Sequence, residues 1–401
     1  MRSLWFFLMF LLAAFAVAGP VEPGRVADAF RALDERYDSP TLRIWLDRPG
    51  DDLRGHFEGR INPPWWSAAN AAEAMVDFMN ATGRPDFDAR LTEMHRIWGD
   101  PMSRWPLVAE ELKKRGQWRG GDDVRLAGKR LKAPDHTGFR NEYLDDSGWW
   151  GIAWLKMAER TGKPEFLATA KGIHAHMAAA WRPDLGGGVL WCLEEGKQNP
   201  NSITNNLFLI LSARLAIKTG DPAYLEWAKK AEAWIRDKRL FDGTGVVDGP
   251  GHKGDYWSYN QGTYLAGMAA FADATKNPAV LDDVAVATDA ILTRAGFVSP
   301  DGVLMEKLGT SGWDGCLFKG ILARSLRQVR DALEQHKKRP ETVALIDRVL
   351  DATASAILKN PASQEGRFPA EWHAGAKNLE RNFNTDASAI IALVAWLAPR
   401  R

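Results

Sequence analysis

The segment Thr161-Gly162-Lys163-Pro164-Glu165-Phe166 sets the architecture of this 401-residue chain, because it returns three more times at helical-hairpin distances. The copies are Thr82-Gly83-Arg84-Pro85-Asp86-Phe87, Thr219-Gly220-Asp221-Pro222-Ala223-Tyr224 and Thr275-Lys276-Asn277-Pro278-Ala279-Val280. Gly or Asn suits the left-handed residue that ends one helix, and Pro suits the first turn of the next. Each copy therefore marks a tight connection between two antiparallel helices, and a repeated connection of one kind implies a repeated unit.

Working outward from these turns, first arms are expected to begin near Trp66, Asp146, Ile203, Tyr259, Cys316 and Asn384. Second arms are expected near 25–36, 87–98, 165–180, 223–237, 279–294 and 341–358. Twelve helices in six pairs, with no strand pattern, predict an all-α chain folded as an (α/α)6 toroid of two concentric rings. The first arms carry Ala, Gly, Leu and Ile on several faces, as in Gly148 to Met157 and Leu207 to Ala216, which places them inside. The second arms keep a charged face, as with Lys229, Lys230, Glu232 and Arg236, and belong outside. The stretch 99–136, with Gly116, Gly120, Gly121 and Gly128 among alternating charges, is expected to be an irregular insertion.

Composition narrows the partner. With 52 basic and 51 acidic residues the chain has no electrostatic footprint for nucleic acid or an anionic membrane. Eighteen tryptophans are the outlier, many of them at expected helix starts or in loops. Flat, amphipathic indoles suit the C–H faces of neutral sugars, while Trp154, Trp227, Trp234 and Trp396 read as core. Residues 1–18 read as a signal peptide, with a basic start, an apolar run and Ala16-Val17-Ala18 as a cleavage site. Export to a periplasmic or extracellular location is the expectation, with 19–401 as one catalytic domain and no membrane contact in the mature form. Cys192 and Cys316 could be bridged or could be two separate buried thiols.

Hairpins of one handedness put the N-terminal ends of all inner helices on one face, and those ends are unusual. The sequence Asn141-Glu142-Tyr143-Leu144-Asp145-Asp146-Ser147-Gly148-Trp149-Trp150 sets two adjacent carboxylates beside two adjacent indoles at a helix start. Neighbouring α-carbons lie about 3.8 Å apart, so two such side chains can converge on one bond. Free helix N–H groups favour an ionised carboxylate, while apolar walls raise the pKa of the acid they desolvate. General acid plus nucleophile chemistry needs that difference. Paired aspartates alone prove little, since Asp51-Asp52, Asp122-Asp123 and Asp282-Asp283 also occur and each suits a helix cap or a solvated turn.

The same rim collects Trp65-Trp66, Asn201-Ser202-Ile203-Thr204-Asn205-Asn206, Tyr259-Asn260-Gln261, Trp313-Asp314 leading to Phe318-Lys319, and Asn382-Phe383-Asn384. Loops feeding it add Gly186-Gly187-Gly188-Val189-Leu190-Trp191 and Asp301-Gly302-Val303-Leu304-Met305-Glu306. Taken singly, Asn201, Ser202 and Asn205 are good helix caps. Taken together, amides and aromatic faces with few charges are what a polyhydroxylated neutral ligand needs. No metal is expected, because the sequence has no His-x-x-x-His or Cys-x-x-Cys, and no cofactor is expected either. The triple glycine lacks the preceding strand and following Lys-Ser or Lys-Thr of a phosphate cradle.

Five motifs in order resemble glycoside hydrolase family 76, the α-1,6-mannanases and their relatives: Tyr143-Leu144-Asp145-Asp146-Ser147-Gly148-Trp149-Trp150, the Gly186 to Trp191 loop, Asn201-Ser202-Ile203-Thr204-Asn205, Tyr259-Asn260-Gln261-Gly262 and Phe318-Lys319-Gly320. The resemblance implies an (α/α)6 barrel and endo-acting hydrolysis of α-1,6-linked mannose backbones with retention, carried by consecutive aspartates. By that resemblance Asp145 would be the nucleophile and Asp146 the general acid/base. Retention places the two carboxyl groups about 5 Å apart, a separation that neighbours can meet. The expected substrate contacts are Trp65, Trp66, Asn141, Trp149, Trp150, Trp191, Asn201, Asn205, Tyr259, Asn260, Gln261, Trp313 and Lys319. The expected partner is an oligo- or polysaccharide, α-mannan in particular, bound by a monomer. The closing residues Leu397-Ala398-Pro399-Arg400-Arg401 lack the hydrophobic tail of the family's fungal cell-wall transglycosylases, which favours hydrolysis. The alternatives are a transglycosylase, a glycosidase for another α-linked glycan, or a carbohydrate-binding protein without turnover.

Overall fold

The computed structural model describes residues 21–46, 65–120, 137–310, 313–376 and 382–397. The expected signal peptide and the second half of the expected insertion lie outside the described residues. In chain order the helices are α1 (Pro23–Tyr37), α2 (Trp65–Thr82), α3 (Asp88–Gly99), α4 (Pro101–Lys114), α5 (Leu144–Thr161), α6 (Pro164–Ala179) and α7 (Ser202–Thr219). They continue as α8 (Pro222–Asp237), α9 (Ser258–Ala274), α10 (Val280–Thr293), α11 (Gly315–Gln335), α12 (Pro340–Lys359) and α13 (Phe383–Leu397). A two-residue antiparallel ladder, β1 (Asp38–Ser39) with β2 (Ile44–Trp45), is an element the sequence pattern did not suggest.

The repeated turn behaves as its chemistry requires. Gly162 and Gly220 end α5 and α7 in the left-handed conformation (φ 69° in both) and send their N–H groups back to the carbonyls of Ala158 and Ala216. Pro164 and Pro222 then open α6 and α8. In the fourth copy the left-handed residue is Lys276 (φ 54°) and not Asn277. Asn277 instead turns its side-chain oxygen to the N–H of Ala279, so its preference for local capping decides its place.

Helices α2, α5, α7, α9, α11 and α13 form the inner ring, each packed on the next and the last closing on the first. Burial on all sides explains their composition, since every residue from Ser202 to Ala213 is buried. Outer helices bury only a stripe; on α8 it consists of Ala228, Ala231, Trp234 and Ile235. The seam of the ring joins the two ends of the chain, where Arg36 and Tyr37 donate to one oxygen of Asp386 at 2.8 and 3.1 Å. The other oxygen of Asp386 accepts the N–H of Phe368.

The expected irregular insertion begins as the helix α4. Val108 and Leu112 bury one side of it, and i,i+4 pairs, Glu110 with Lys114 and Glu111 with Arg115, support the other. Apart from Gly99, the glycines of the stretch come only after this helix.

Inside the inner ring lies a buried ion cluster. Glu73 pairs with Lys156 at 2.6 Å and Arg324 at 3.0 Å, while Lys156 also meets Asp77 and Arg324 meets Asn70. Burial alone would push the Glu73 carboxyl up, but Arg324 and Lys156 more than offset it and hold it below the usual range. Two adjoining cavities of about 310 and 670 Å³ share Arg214, Arg324 and Gln328 and are walled by later turns of the inner helices. Neither is lined by the Asp145-Asp146 pair.

Candidate active site

Helix α5 begins at Leu144 without a side-chain cap from Tyr143, so its first N–H groups need partners from elsewhere. A loop supplies them. The Leu144 N–H donates to the carbonyl of Trp191, and the Leu193 N–H donates to the carbonyl of Glu142, stitching the 181–200 loop across the helix start. The loop folds this tightly because Gly186, Gly187 and Gly188 all have positive φ, and a Cβ on Gly188 would lie 2.7 Å from the Trp234 ring. These glycines are set by packing on Trp234.

The stitch places the Trp191 indole N–H 3.0 Å from Asp145 Oδ2, and the backbone N–H of Asp146 donates to Asp145 Oδ1 at 3.1 Å. Asp146 receives a single donor, the Asn141 side-chain amide, at 2.8 Å. Asn141 is itself fixed by Ser147, whose Oγ accepts its backbone N–H, and by His176 against its carbonyl. Among the described residues neither aspartate has an ion-pair partner.

These surroundings split the pair. Burial pushes the Asp145 carboxyl up to about 7, against the pull of the Trp191 and Asp146 N–H donors. The Asp146 carboxyl goes well above the usual range, first through burial and then through the charge of Asp145, with only Asn141 pulling it back. The pair titrates in two steps, and the two N–H donors on Asp145 against one on Asp146 favour ionisation at Asp145.

A wall of rings faces the pair. Trp66 lies 6.3 Å from Trp149 and 5.8 Å from Phe318, and Phe318 stacks on Tyr259 at 4.0 Å. The Tyr259 hydroxyl is pushed far up by burial and by the charges of Asp248, Asp145 and Asp314. Trp313 is half-buried, and its carbonyl is held by Asn384. Thus Trp66, Asn141, Trp149, Trp191 and Tyr259 are linked to the carboxylate pair by direct contact, ring packing or charge.

Other expected contacts are redirected. Trp65 and Trp150 are 4% and 1% exposed and pack with Phe139 and Trp154 between the rings, because adjacent residues on a helix point about 100° apart and only one of each pair can face the axis. Asn205 and Gln261 are fully buried clamps. Asn205 both accepts from and donates to the backbone of Val189, and Gln261 does the same with Val246. Asn201 spends its oxygen capping α7 on the Thr204 N–H. Asn260 is buried with its amide on Asp248. Lys319 is fully buried, donates to the carbonyls of Cys316 and Ala370, and lies over the Trp372 ring. It is a core lysine whose pKa burial lowers, not a ligand contact. Cys192 and Cys316 are two separate buried thiols, not joined in a disulfide.

Three carboxylates were not among the expected substrate contacts, although the rim segments named from the sequence include Asp314 and Glu306. Asp314 stands at the mouth with Trp66 donating to its Oδ1 at 3.0 Å, and Asp248 is tied to Asn260. Glu306 accepts both the N–H and the hydroxyl of Ser258, capping α9 below Tyr259, and burial pushes its carboxyl up to about 7. Asp314 follows Trp313 directly and could have been singled out as the acid of that rim cluster, and Glu306 as an acid of the 301–306 loop; Asp248 sits in a loop with no local signal. Among the described residues no group of His, Cys, Asp and Glu could hold a metal ion.

Comparison with known proteins agrees with this arrangement. The mannan endo-1,6-alpha-mannosidase DCW1 of Candida glabrata is 28% identical over 258 residues, covering 56% of each chain. DCW1 of Saccharomyces cerevisiae is 29% identical over 241 residues, 54% of this chain and 51% of its own. The chain thus spans about half the length of the curated relatives it matches. Among solved structures, an inactive variant of the α-1,6-mannanase GH76A of Salegentibacter sp. HEL1_6, with two consecutive aspartates replaced by asparagine and α-1,6-mannotriose bound, superposes with a TM-score of 0.70. It is 20% identical, over 94% of this chain and 99% of that one. Dfg5 of Chaetomium thermophilum in complex with glucosamine superposes with a TM-score of 0.67 at 22% identity, over 96% and 92%. Residues 47–400 match the glycosyl hydrolase family 76 pattern over most of the chain, so the protein, with its two-ring helical barrel and adjacent aspartates, belongs to glycosyl hydrolase family 76.

Proposed function

We propose that the protein is an exported endo-acting hydrolase of α-1,6-mannosidic linkages that works with retention of configuration. One observation carries the reading: adjacent carboxylates on the first turn of α5 have unequal donors, two N–H groups on Asp145 and one amide on Asp146. The names of the relatives, mannan endo-1,6-alpha-mannosidases and α-1,6-mannanases, support the substrate.

In this reading the ionised Asp145 attacks the anomeric carbon while Asp146 gives its proton to the departing glycosidic oxygen. The C–O bond breaks, and a glycosyl ester forms on Asp145. Asp146, now ionised, takes a proton from water, whose oxygen displaces Asp145 from the anomeric carbon and restores both groups. The Trp191 N–H holds Asp145 in line and favours its charge, and Asn141 keeps Asp146 beside the leaving oxygen. Trp66 and Tyr259 supply apolar faces to the sugar rings.

Reducing-end release from linear α-1,6-mannan by the wild type and by Asp145→Asn and Asp146→Asn tests the reading, with the product anomer followed by NMR. Loss of turnover in both variants and an initial α product are expected. Undiminished turnover in either variant would refute the assignment, and an initial β product would replace retention by inversion. Acceptor sugars in the same assay distinguish hydrolysis from transfer.

A further inference from the structure

Asp314 shares the mouth that holds Asp145 and Asp146, and its charge acts on both of them and on Tyr259. Its Oδ1 is fixed by the Trp66 indole N–H at 3.0 Å, and Trp66 is fixed in turn between Trp149 and Phe318. Among the described residues its Oδ2 has no hydrogen-bond partner, and the residue is exposed. The bland explanations fail. Although Asp314 stands at the N-cap of α11, its backbone is already helical (φ −71°, ψ −41°) and its side chain caps no N–H. Among the described residues no Lys or Arg pairs with it.

A carboxylate with one oxygen clamped by an indole and the other open, close enough for its charge to act on the reacting pair, is arranged to accept hydrogen bonds from hydroxyl groups. Among the described residues the Tyr259 hydroxyl, on which the charge of Asp314 acts, likewise has no hydrogen-bond partner. We propose that Asp314 holds, through Oδ2, a hydroxyl of the sugar unit bound against Trp66, and so makes the site selective for a neutral hexose bearing a hydroxyl at that position. The proposal rests on reading the site as an α-1,6-mannanase and adds a specificity residue to it. Trp66 then does two things, since it presents a ring to the sugar and aims the carboxylate.

The test pairs a protein substitution with substrate deletions. kcat/KM is measured for the wild type and Asp314→Asn on α-1,6-mannotriose and its monodeoxy analogues, with Tm recorded for each protein. Loss of a hydrogen bond to a charged group corresponds to about a tenfold to hundredfold fall in kcat/KM. The wild type should fall by that factor on one deoxy analogue, Asp314→Asn should fall by the same factor on the parent sugar, and the two losses should not multiply. Asp314→Asn within about twofold of wild type, or losses that multiply on every analogue, would overturn the assignment while leaving the mannanase reading intact. A wild type that does not cleave mannotriose or mannan would remove that reading, and the Asp314 role with it. Should Asp314→Asn not fold, Trp66→Phe takes its place, because it frees the clamped oxygen; its loss has to fall on the same hydroxyl, and a uniform loss overturns the proposal.

Discussion

Replacing Asp145 by Asn should abolish turnover and, at neutral pH and above, make the protein more stable. Burial pushes the wild-type carboxyl up to about 7 in the folded protein, against 3.8 for a free aspartate. Between those values the folded state keeps a proton that the unfolded chain has released. The contribution to stability is therefore complete below the unfolded pKa and is lost as pH rises through about 7. Asn never ionises and escapes this loss, and its single amide oxygen can still accept from one of the two N–H donors, Trp191 or Asp146. A shift of about three units corresponds to roughly 4 kcal/mol as an upper figure. Water at the pocket mouth screens the group and reduces the expected gain to about 1–2 kcal/mol. In a chain of this length that amounts to about 1–3 °C in Tm. Thermal unfolding of wild type and Asp145→Asn, followed side by side at about pH 4 and pH 8, reads the difference, which should be near zero at the lower value and positive at the higher. An equal or lower Tm for the variant at pH 8, or the same gain at both values, would refute the electrostatic reasoning.

Trp191→Phe removes one of the two donors that favour the Asp145 charge, so the acid limb of kcat/KM should move up by about one pH unit while Tm changes little. Lys319→Met should leave the affinity of folded protein for α-1,6-mannotriose unchanged, because the lysine serves the Cys316 and Ala370 carbonyls; the cost should appear as a Tm drop in calorimetry. Glu73→Gln leaves Lys156 and Arg324 buried with less countercharge and should cost about 3 kcal/mol, read by urea unfolding at neutral pH, whereas Glu73 and Lys156 replaced together by apolar residues should recover part of it.

The hairpin turns could be read from the sequence because Gly-x-Pro chemistry is local, and the observed inner helices start within two residues of the expected positions. The adjacent aspartates lie together because both belong to the first turn of the helix they open, whereas the Trp191 donor that distinguishes them comes from 46 residues on. What depends on direction across the ring could not be read. Trp65-Trp66 and Trp149-Trp150 look equivalent in sequence, yet one member of each pair turns to the interior between the rings. The helical spacing of Trp150 to Trp154 was the available sign of which one. Asn205 and Gln261 looked like ligand amides because the strands of backbone they grip, at Val189 and Val246, lie 15 or more residues away in sequence. Lys319 misled in the same way, since its carbonyl partner at Ala370 comes from a loop 51 residues on.

The seam between α1 and α13 bears on how the protein is made. Arg36 and Tyr37 emerge from the ribosome about 350 residues before their partner Asp386, as the bonds across 350 and 349 positions require. Until that partner arrives, the growing chain is an open arc with two uncovered helical flanks, and loop closure is its last and slowest contact. A premature stop before α13 would therefore remove more than one helix. It would leave an arc whose flanks can seek each other in neighbouring molecules, and aggregation during synthesis is the failure to expect from mutations near residue 386.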